Sequence, residues 1–176
     1  MLTGYGFAEI SGVRIETDTL DTVTDWLATA ARLGRRDGSP FTIAHVNAFS
    51  LVEAQRNPAH MAALADALCL ADGIGVAFLA HTQKIAVADL MLAAARHPKL
   101  GKMRHLLLGG FGVAYKAALT QWSLAKVQHA WVCPPWLPQA PDGQQVVAGW
   151  AGDDQMVQWA NAVDHDILWI AIGCPK

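Results

Sequence analysis

The chain has 176 residues, a formal net charge of -2 and a 53% share of hydrophobic residues. This length suits one domain with a sizeable core, so we predict a single domain over residues 1–176. The nearly neutral charge excludes the basic surplus that is typical of nucleic-acid-binding proteins. A small basic cluster of Arg32, Arg35 and Arg36 favours a helix C-terminus, or contact with an anionic lipid or a pyrophosphate.

The cysteines and the apolar runs indicate where the protein works. Cys69, Cys133 and Cys174 are scattered, which favours reduced thiols of the cytosol over a disulfide framework or a zinc site. No run approaches the roughly 18 apolar residues of a membrane span, and the first residues do not resemble a secretory signal. The tryptophans favour core packing, with a membrane interface as the alternative. We expect a cytoplasmic protein.

The apolar periodicity predicts the elements in chain order. A small hairpin is expected within residues 5–17, followed by an amphipathic helix over 18–33 and a turn at 34–40. The later elements expected are a strand at 41–46, helices at 48–56 and 58–66, a strand at 67–71, helices at 75–82 and 88–97, a strand at 104–108, a helix at 112–125, a strand at 128–133, a helix from 153 or 154 to 163, and a strand at 166–172. This alternation predicts an α/β, Rossmann-like fold, with a mostly parallel sheet covered by helices on both faces and a small N-terminal β-hairpin.

Polar residues, glycines or prolines follow each predicted strand after the hairpin. They are Asn47, Asp72, Gly109-Gly110, Pro134-Pro135 and Gly173. Because the carboxyl ends of parallel strands meet at one edge of a sheet, we expect these residues to gather at a single ligand crevice.

The turn Asp72-Gly73-Ile74-Gly75 lies between a predicted strand and a predicted helix. A carboxylate at this point suits a general base or a ligand-binding group, and the glycines would let a ligand approach. The alternative is that Asp72 caps the helix that follows. A single motif of this kind is a weak signal, so both interpretations stay open at this point.

Two further groups are candidates for chemistry. Gly109-Gly110-Phe111-Gly112 opens a predicted helix, where exposed N–H groups would hold a diphosphate; tight packing is the alternative. His45 lies two residues before Asn47 and therefore on the same face of an extended chain. It would orient a hydroxyl or share a proton transfer, or it is a structural histidine at a strand end. The other histidines lack metal-binding spacing.

Taken together, these motifs resemble the WecG/TagA/CpsF family of bacterial glycosyltransferases, from about residue 8 onward. The matching stretches are Val46-Asn47-Ala48, Ala71-Asp72-Gly73-Ile74-Gly75-Val76, Ala88-Asp89-Leu90-Met91, Leu108-Gly109-Gly110-Phe111-Gly112-Val113-Ala114 and Asp166-Ile167-Leu168-Trp169-Ile170-Ala171-Ile172-Gly173-Cys174-Pro175-Lys176. Pro134-Pro135-Trp136 is similar to the exopolysaccharide, xanthan glucosyltransferase-like branch.

The resemblance implies inverting transfer of a hexosyl or N-acetylhexosaminyl group from a UDP-sugar to a polyprenyl-diphosphate-linked sugar, in exopolysaccharide or cell-surface polysaccharide biosynthesis. It implies a peripheral position on the inner face of the cell membrane, no metal or other cofactor, and a possible homo-oligomer. Asp72 would be the general base, with Asn47 and His45 as its catalytic neighbours. The substrate-binding residues implied are Gly73, Gly75, Lys84, Asp89, Gly109, Gly110, Phe111, Gly112, Pro134, Gly173, Pro175 and Lys176.

The chain departs from the family pattern at three places. His45 stands where the family has Thr, which would alter acceptor positioning or add a second base. Lys84-Ile85-Ala86-Val87 stands where the family has Arg-Val-x-Gly, and Lys is not equivalent to Arg in anion binding. The sequence stops at Lys176, where the family continues with Gln-Glu and a C-terminal appendage, so we expect a shortened member.

Two alternative functions come from other classes. One is a non-catalytic domain that binds a nucleotide sugar or a lipid diphosphate. The other is a Rossmann-like methyltransferase, which is disfavoured because His45-Val46-Asn47-Ala48 replaces the Gly-rich loop expected after the first strand.

Overall fold

The computed structural model describes residues 6–37, 40–109, 120–123, 127, 129–132 and 153–171. The chain divides into two compact units, Met1–Ala93 and Ala94–Lys176, and each is described here by itself. Both units combine helices with parallel strands, and the first begins with an antiparallel hairpin. The predicted α/β class and the N-terminal hairpin are therefore confirmed.

The first unit opens with the hairpin and a long helix. Strands β1 (Phe7–Ile10) and β2 (Val13–Glu16) are joined by Ser11 and Gly12, which both have positive φ angles, of 52° and 76°. That geometry matches the right-handed twist of the two strands. Helix α1 (Leu20–Asp37) continues four residues past the predicted end. Gly34 lies inside it, since one glycine costs a helix only about 1 kcal/mol.

The remaining elements of this unit agree with the predicted ones to within one to three residues at each end. They are β3 (Ile43–Val46), α2 (Ala48–Arg56), α3 (Pro58–Ala65), β4 (Leu68–Ala71), α4 (Ile74–Leu79) and α5 (Val87–Arg96), which begins here. The sheet order is β1-β2-β4-β3, and β4 runs parallel to both β2 and β3. The carboxyl ends of β2, β4 and β3 therefore lie along one edge.

Helices α2, α3 and α4 cover one face of this sheet. Ile15, Cys69 and Val46 point to that face and share a buried cluster with Leu51 of α2, Leu64 of α3 and Val76 of α4. Burial raises the pKa of the Cys69 thiol to about 11, so it is a packing residue in its protonated form. We call these three helices the α2–α3–α4 layer.

The second unit contains a parallel sheet of order β6-β5-β7. Its elements are a 3-10 turn (Leu100–Lys102), β5 (His105–Gly109), β6 (His129–Val132), α6 (Asp153–Ala162) and β7 (Ile167–Ala171). Residues 120–123 are helical and are the described part of the helix predicted at 112–125. In the described ranges of the chain, no helix combines the length and apolar character that a bilayer crossing requires.

A buried aromatic cluster holds the second sheet. The ring centroids of His105 and Trp122 lie 4.6 Å apart, and those of Trp122 and Trp169 lie 5.9 Å apart. The Trp169 indole Nε1 donates to Nδ1 of His105 at 3.0 Å, and Nε2 of His105 donates to the Leu100 carbonyl at 2.9 Å. Both imidazole nitrogens are thus satisfied in the neutral tautomer, which makes His105 a structural residue.

Candidate functional site

Asn47 and Asp72 follow the ends of two neighbouring parallel strands. Val46, the last residue of β3, pairs with Ala71, the last residue of β4. The Asp72 backbone N–H donates to the Val46 carbonyl at 2.8 Å. A Cβ built on Gly73 would lie 3.9 Å from the Cβ of Asn47. The parallel sheet therefore brings these two predicted site residues together.

Asn47 also begins helix α2. Its side-chain Oδ1 accepts a hydrogen bond from the Ser50 backbone N–H at 3.0 Å, and the Ser50 hydroxyl lies 3.3 Å from the same oxygen. Asn is among the preferred N-cap residues because its side chain satisfies such an orphan donor. The cap uses only the oxygen of the amide, and among the described residues Nδ2 has no hydrogen-bond partner.

Asn57 provides a matched control for the role of Asn47, because it caps α3 in the same way by accepting from Ala59 and His60. We expect Asn47→Ala and Asn57→Ala each to lower the free energy of unfolding by about 1 kcal/mol. Only Asn47→Ala should also reduce the activity of the site, since Asn47 follows β3 beside Asp72 whereas Asn57 links two helices. Urea unfolding and an activity assay on both variants measure this; equal activity losses would contradict it.

Asp72 does not cap the helix that follows. The N-cap of α4 is Gly73, which has no side chain to make a capping hydrogen bond. Gly73 has φ of +140° and ψ of 144°, a conformation essentially restricted to glycine. The capping interpretation of Asp72 is therefore wrong, and the half-buried Asp72 carboxylate is held by a turn that needs Gly73. Gly75 is exposed, and a Cβ there would meet open space.

His45 is hydrogen-bonded to the loop that follows α4. Its Nδ1 lies 3.0 Å from the Ile85 carbonyl oxygen, and a carbonyl only accepts, so Nδ1 carries the hydrogen. The lone pair of the neutral ring is then on Nε2. Burial lowers the pKa of His45 from its ordinary value of 6.5, opposed by the Ile85 contact and by the charges of Asp72 and Asp89. His45 is therefore neutral at pH 7, with a basic nitrogen in the electrostatic range of Asp72.

The loop that contains Lys84 is attached to the same strand end. The Ile85 N–H donates to the Ala71 carbonyl at 2.8 Å, and the Ile85 side chain is buried. Oδ2 of Asp89 accepts from the Ala86 N–H at 3.2 Å, as in a capping box at the start of α5. This anchoring places Asp89 near His45 and leaves Lys84 exposed beside the edge. The structure thus gives Asp89 a local structural contact, whereas its contact with substrate stays a prediction.

Two acidic residues at this edge were missed by the sequence analysis. Glu16 is the last residue of β2. It pairs with Leu70 of β4, which in turn pairs with His45 of β3. Glu16 Oε2 and Asp18 Oδ2 are buried and have no hydrogen-bond partner among the described residues. Burial raises the pKa of Glu16, although Arg14 lies 3.0 Å from Oε1 and opposes the shift. The position of Glu16 at the end of a predicted strand was the one sequence signal for this site. The pairing of β2 with β4, which brings Glu16 to this edge, was not predictable from the sequence.

In the second unit, the structure describes only one of the remaining predicted site residues. Gly109 is the last residue of β5 and pairs with Ala171 of β7. The predicted diphosphate loop therefore begins at a strand end, as expected. Gly110, Phe111, Gly112, Pro134, Gly173, Pro175 and Lys176 lie outside the described residues, so their assigned roles stay predictions.

The comparison with protein families identifies the chain. Residues 8–176 match the model of the glycosyl transferase WecG/TagA/CpsF family. The chain belongs to this family. The match spans nearly the whole sequence and includes the edge formed by Asn47, Asp72 and the Lys84 loop. No curated protein matches the chain.

Membership in the WecG/TagA/CpsF family makes this protein a glycosyltransferase of cell-surface polysaccharide biosynthesis, with a nucleotide-sugar donor and an acceptor as its substrates. The resemblance seen in the sequence is therefore confirmed at the level of the family. The particular donor, the lipid-linked acceptor and the roles of single residues belong to the proposal that follows.

Proposed function

We propose that this protein is an inverting glycosyltransferase that moves a hexosyl or N-acetylhexosaminyl group from a UDP-sugar to a polyprenyl-diphosphate-linked sugar. The observation that supports this proposal is the arrangement at the edge of the first sheet. There the Asp72 carboxylate, which makes no helix cap, lies beside Asn47 and in the electrostatic range of the neutral His45. We assign no metal ion or other cofactor to the reaction.

In the proposed reaction, Asp72 accepts the proton of the acceptor hydroxyl as that oxygen attacks the anomeric carbon of the donor sugar. The bond between the anomeric carbon and the UDP oxygen breaks on the opposite face, so the configuration inverts. A carboxylate suits this step because it can remove the proton of the hydroxyl while the oxygen attacks, which makes that oxygen a better nucleophile. Asn47 would donate a hydrogen bond from Nδ2 to keep that carboxylate oriented.

His45 has a supporting part in the proposal. With Nδ1–H bonded to the Ile85 carbonyl, its Nε2 is available to accept a hydrogen bond from the acceptor sugar or to take up a proton itself. The donor diphosphate is assigned to Gly109, Gly110 and the amides that follow, since N–H groups at such a loop are suited to anionic oxygens. Lys84, exposed at the edge, supplies a positive charge for a phosphate.

The pH profile tests the contribution of His45. Because burial lowers its pKa from 6.5, the neutral form persists to a more acidic pH than that of a free histidine. Sugar transfer should therefore be constant above pH 6.5 and fall as the pH drops through the lowered pKa of His45. The folded state also loses stability as the pH falls from 6.5 to the lowered pKa of His45, because over that interval the unfolded chain binds a proton that the folded chain does not.

His45→Asn is the variant for this measurement, since its Nδ2 replaces the Nδ1 of the imidazole and can still donate to the Ile85 carbonyl. We expect kcat/KM of the variant to lose the acidic limb assigned to His45. An unchanged acidic limb in the variant would remove His45 from the proposed proton transfer.

The proposed function itself is tested by calorimetry with UDP beside a transfer assay with a UDP-sugar and a polyprenyl-diphosphate-linked acceptor. UDP binding together with transfer is the expected result. UDP binding without transfer, over a panel of UDP-hexoses and UDP-N-acetylhexosamines, would favour the non-catalytic nucleotide-sugar-binding domain instead. Failure to bind UDP would overturn the assignment of the donor.

A further inference from the structure

Two buried carboxylate oxygens at the edge of the first sheet have no hydrogen-bond donor among the described residues. They are Oε2 of Glu16 and Oδ2 of Asp18. The Glu16 side chain is only 7% exposed, and Arg14 contacts its other oxygen, Oε1, at 3.0 Å. Buried polar atoms are nearly always hydrogen-bonded, because an unsatisfied one costs free energy. Two such oxygens at one edge therefore indicate a ligand that supplies the missing donors.

Glu16 lies on the same face of the sheet as His45. Its backbone pairs with Leu70, and Leu70 pairs with His45. Residues that pair in register direct their side chains to one face, which here is the face opposite the α2–α3–α4 layer. Asp72 follows the same strand as Leu70, and its charge acts on His45. Because neighbouring strands lie about 4.8 Å apart, one bound sugar ring is able to contact both Glu16 and Asp72.

Asp18 belongs to the same edge. The Gln83 side chain donates to the Asp18 carbonyl at 3.5 Å. Gln83 lies in the loop that is also bonded to the Ala71 carbonyl through the N–H of Ile85. Burial raises the pKa of Glu16, and the charge of Asp18 adds to this shift, so the two carboxylates are close enough to interact. Their two free oxygens thus form one acceptor group.

Sugar hydroxyls are the donors that fit this group. An ionised carboxylate only accepts hydrogen bonds, and a hexose carries several hydroxyl donors on one ring. In the described part of the chain, no three acidic, histidine or cysteine side chains come together as a metal site requires. In the proposed reaction the donor diphosphate is assigned to the Gly109 loop, whereas the acceptor sugar brings its hydroxyl to Asp72. The acceptor sugar is therefore the ring next to Glu16 and Asp18.

We propose that Glu16 and Asp18 form a subsite that binds hydroxyl groups of the acceptor sugar and so holds the reacting hydroxyl at Asp72. The inference rests on the proposed function, because the role of Asp72 as the base is what makes the neighbouring sugar the acceptor. Glu16 and Asp18 take no proton in the reaction. Their part is to bind the acceptor and to select it by the positions of its hydroxyls.

Calorimetry without any sugar donor tests this subsite. The probes are hexoses and N-acetylhexosamines linked through diphosphate to a short, water-soluble prenyl chain, and the same prenyl diphosphate without a sugar. Glu16→Gln keeps an oxygen for Arg14 but puts an NH2 group in place of the unpartnered oxygen. It should reduce about tenfold the ratio of the affinity for the preferred sugar-bearing probe to that for the sugar-free probe, because a hydrogen bond to a charged group is lost. Asp18→Asn should act in the same direction.

Glu9→Gln and Asp21→Asn are the matched controls. They change exposed acids on β1 and α1 and should keep the affinity ratio of the unchanged protein. The unfolding temperature of Glu16→Gln should not fall, since the replaced oxygen has no partner among the described residues. A purely structural role of Glu16 would instead lower the unfolding temperature and leave the affinity ratio unchanged, and either result would overturn the subsite.

The remaining outcomes separate the ligand and the proposed function. Mg²⁺ binding by the unchanged chain that Glu16→Gln abolishes would overturn the sugar in favour of a cation. In the transfer assay, Glu16→Gln should raise KM for the acceptor about tenfold and leave KM for the UDP-sugar unchanged; a rise for the UDP-sugar alone would overturn the acceptor assignment. Sugar-dependent binding without any transfer by the unchanged protein would overturn the proposed function and leave the sugar subsite standing.

Discussion

Replacing Asp72 with Asn is expected to lower the rate of sugar transfer by about 10²- to 10⁴-fold, the range that general base catalysis contributes. The amide has nearly the same size and shape as the carboxylate, but it cannot accept the proton of the acceptor hydroxyl. Since Gly73 rather than Asp72 is the N-cap of α4, the substitution removes no helix cap. Initial rates with saturating donor, together with the circular dichroism spectrum, measure the effect.

Asp66 offers a matched control for this substitution. It is exposed and precedes β4, whereas Asp72 follows it, so the two acids flank opposite ends of one strand. Asp66→Asn should transfer sugar at close to the unchanged rate. If Asp72→Asn also kept its rate, Asp72 would not be the base, and the neutral His45 would be the next residue to examine. UDP binding should persist in both variants.

Replacing Trp122 with Ala is expected to reduce the free energy of unfolding by about 3–5 kcal/mol, as for other fully buried large aromatic side chains. Trp122 is 0% exposed and packs against the rings of both His105 and Trp169, which also contact each other. Its removal leaves a cavity beside the hydrogen bond from Trp169 to His105. Such a loss is a large share of the roughly 5–15 kcal/mol that stabilises a typical domain. Urea unfolding followed by far-ultraviolet circular dichroism measures it.

Val157→Ala is the corresponding surface control, since Val157 is 59% exposed on α6. Its effect should stay within about 0.5 kcal/mol. Trp122→Phe should fall between the two variants, because the smaller ring retains part of the packing. A loss below about 1 kcal/mol for Trp122→Ala would show that the cluster does not hold this unit together.

The local elements could be read from the sequence because they depend on local signals. Asn47 and Asn57 precede helices, Pro58 occupies a first helical position, and both helices were predicted nearly to the residue. The end of α1 was predicted wrongly. Gly34 and the residues after it suggest a turn, but the helix continues to Asp37 because one glycine is a small penalty against a long amphipathic helix.

The candidate site was predictable only in part. Asn47 and Asp72 were expected at strand ends, and the parallel pairing of β3 with β4 confirms that they meet. The bond from His45 to the Ile85 carbonyl joins residues 40 positions apart, and no local pattern indicates it. Glu16 and Asp18 were missed for the same reason, since their burial follows from the pairing of β2 with β4.

By itself, the sequence determined the α/β class, the family and the order of strand-end motifs, because hydrophobic periodicity and turn residues act over a few neighbours. Only the tertiary structure decided what surrounds each side chain. It showed that Gly73 caps α4, that His45 is neutral with its hydrogen on Nδ1, and that buried oxygens of Glu16 and Asp18 have no hydrogen-bond partner among the described residues. Burial and electrostatic fields arise from residues far apart along the chain, so they exist only once the sheet has formed.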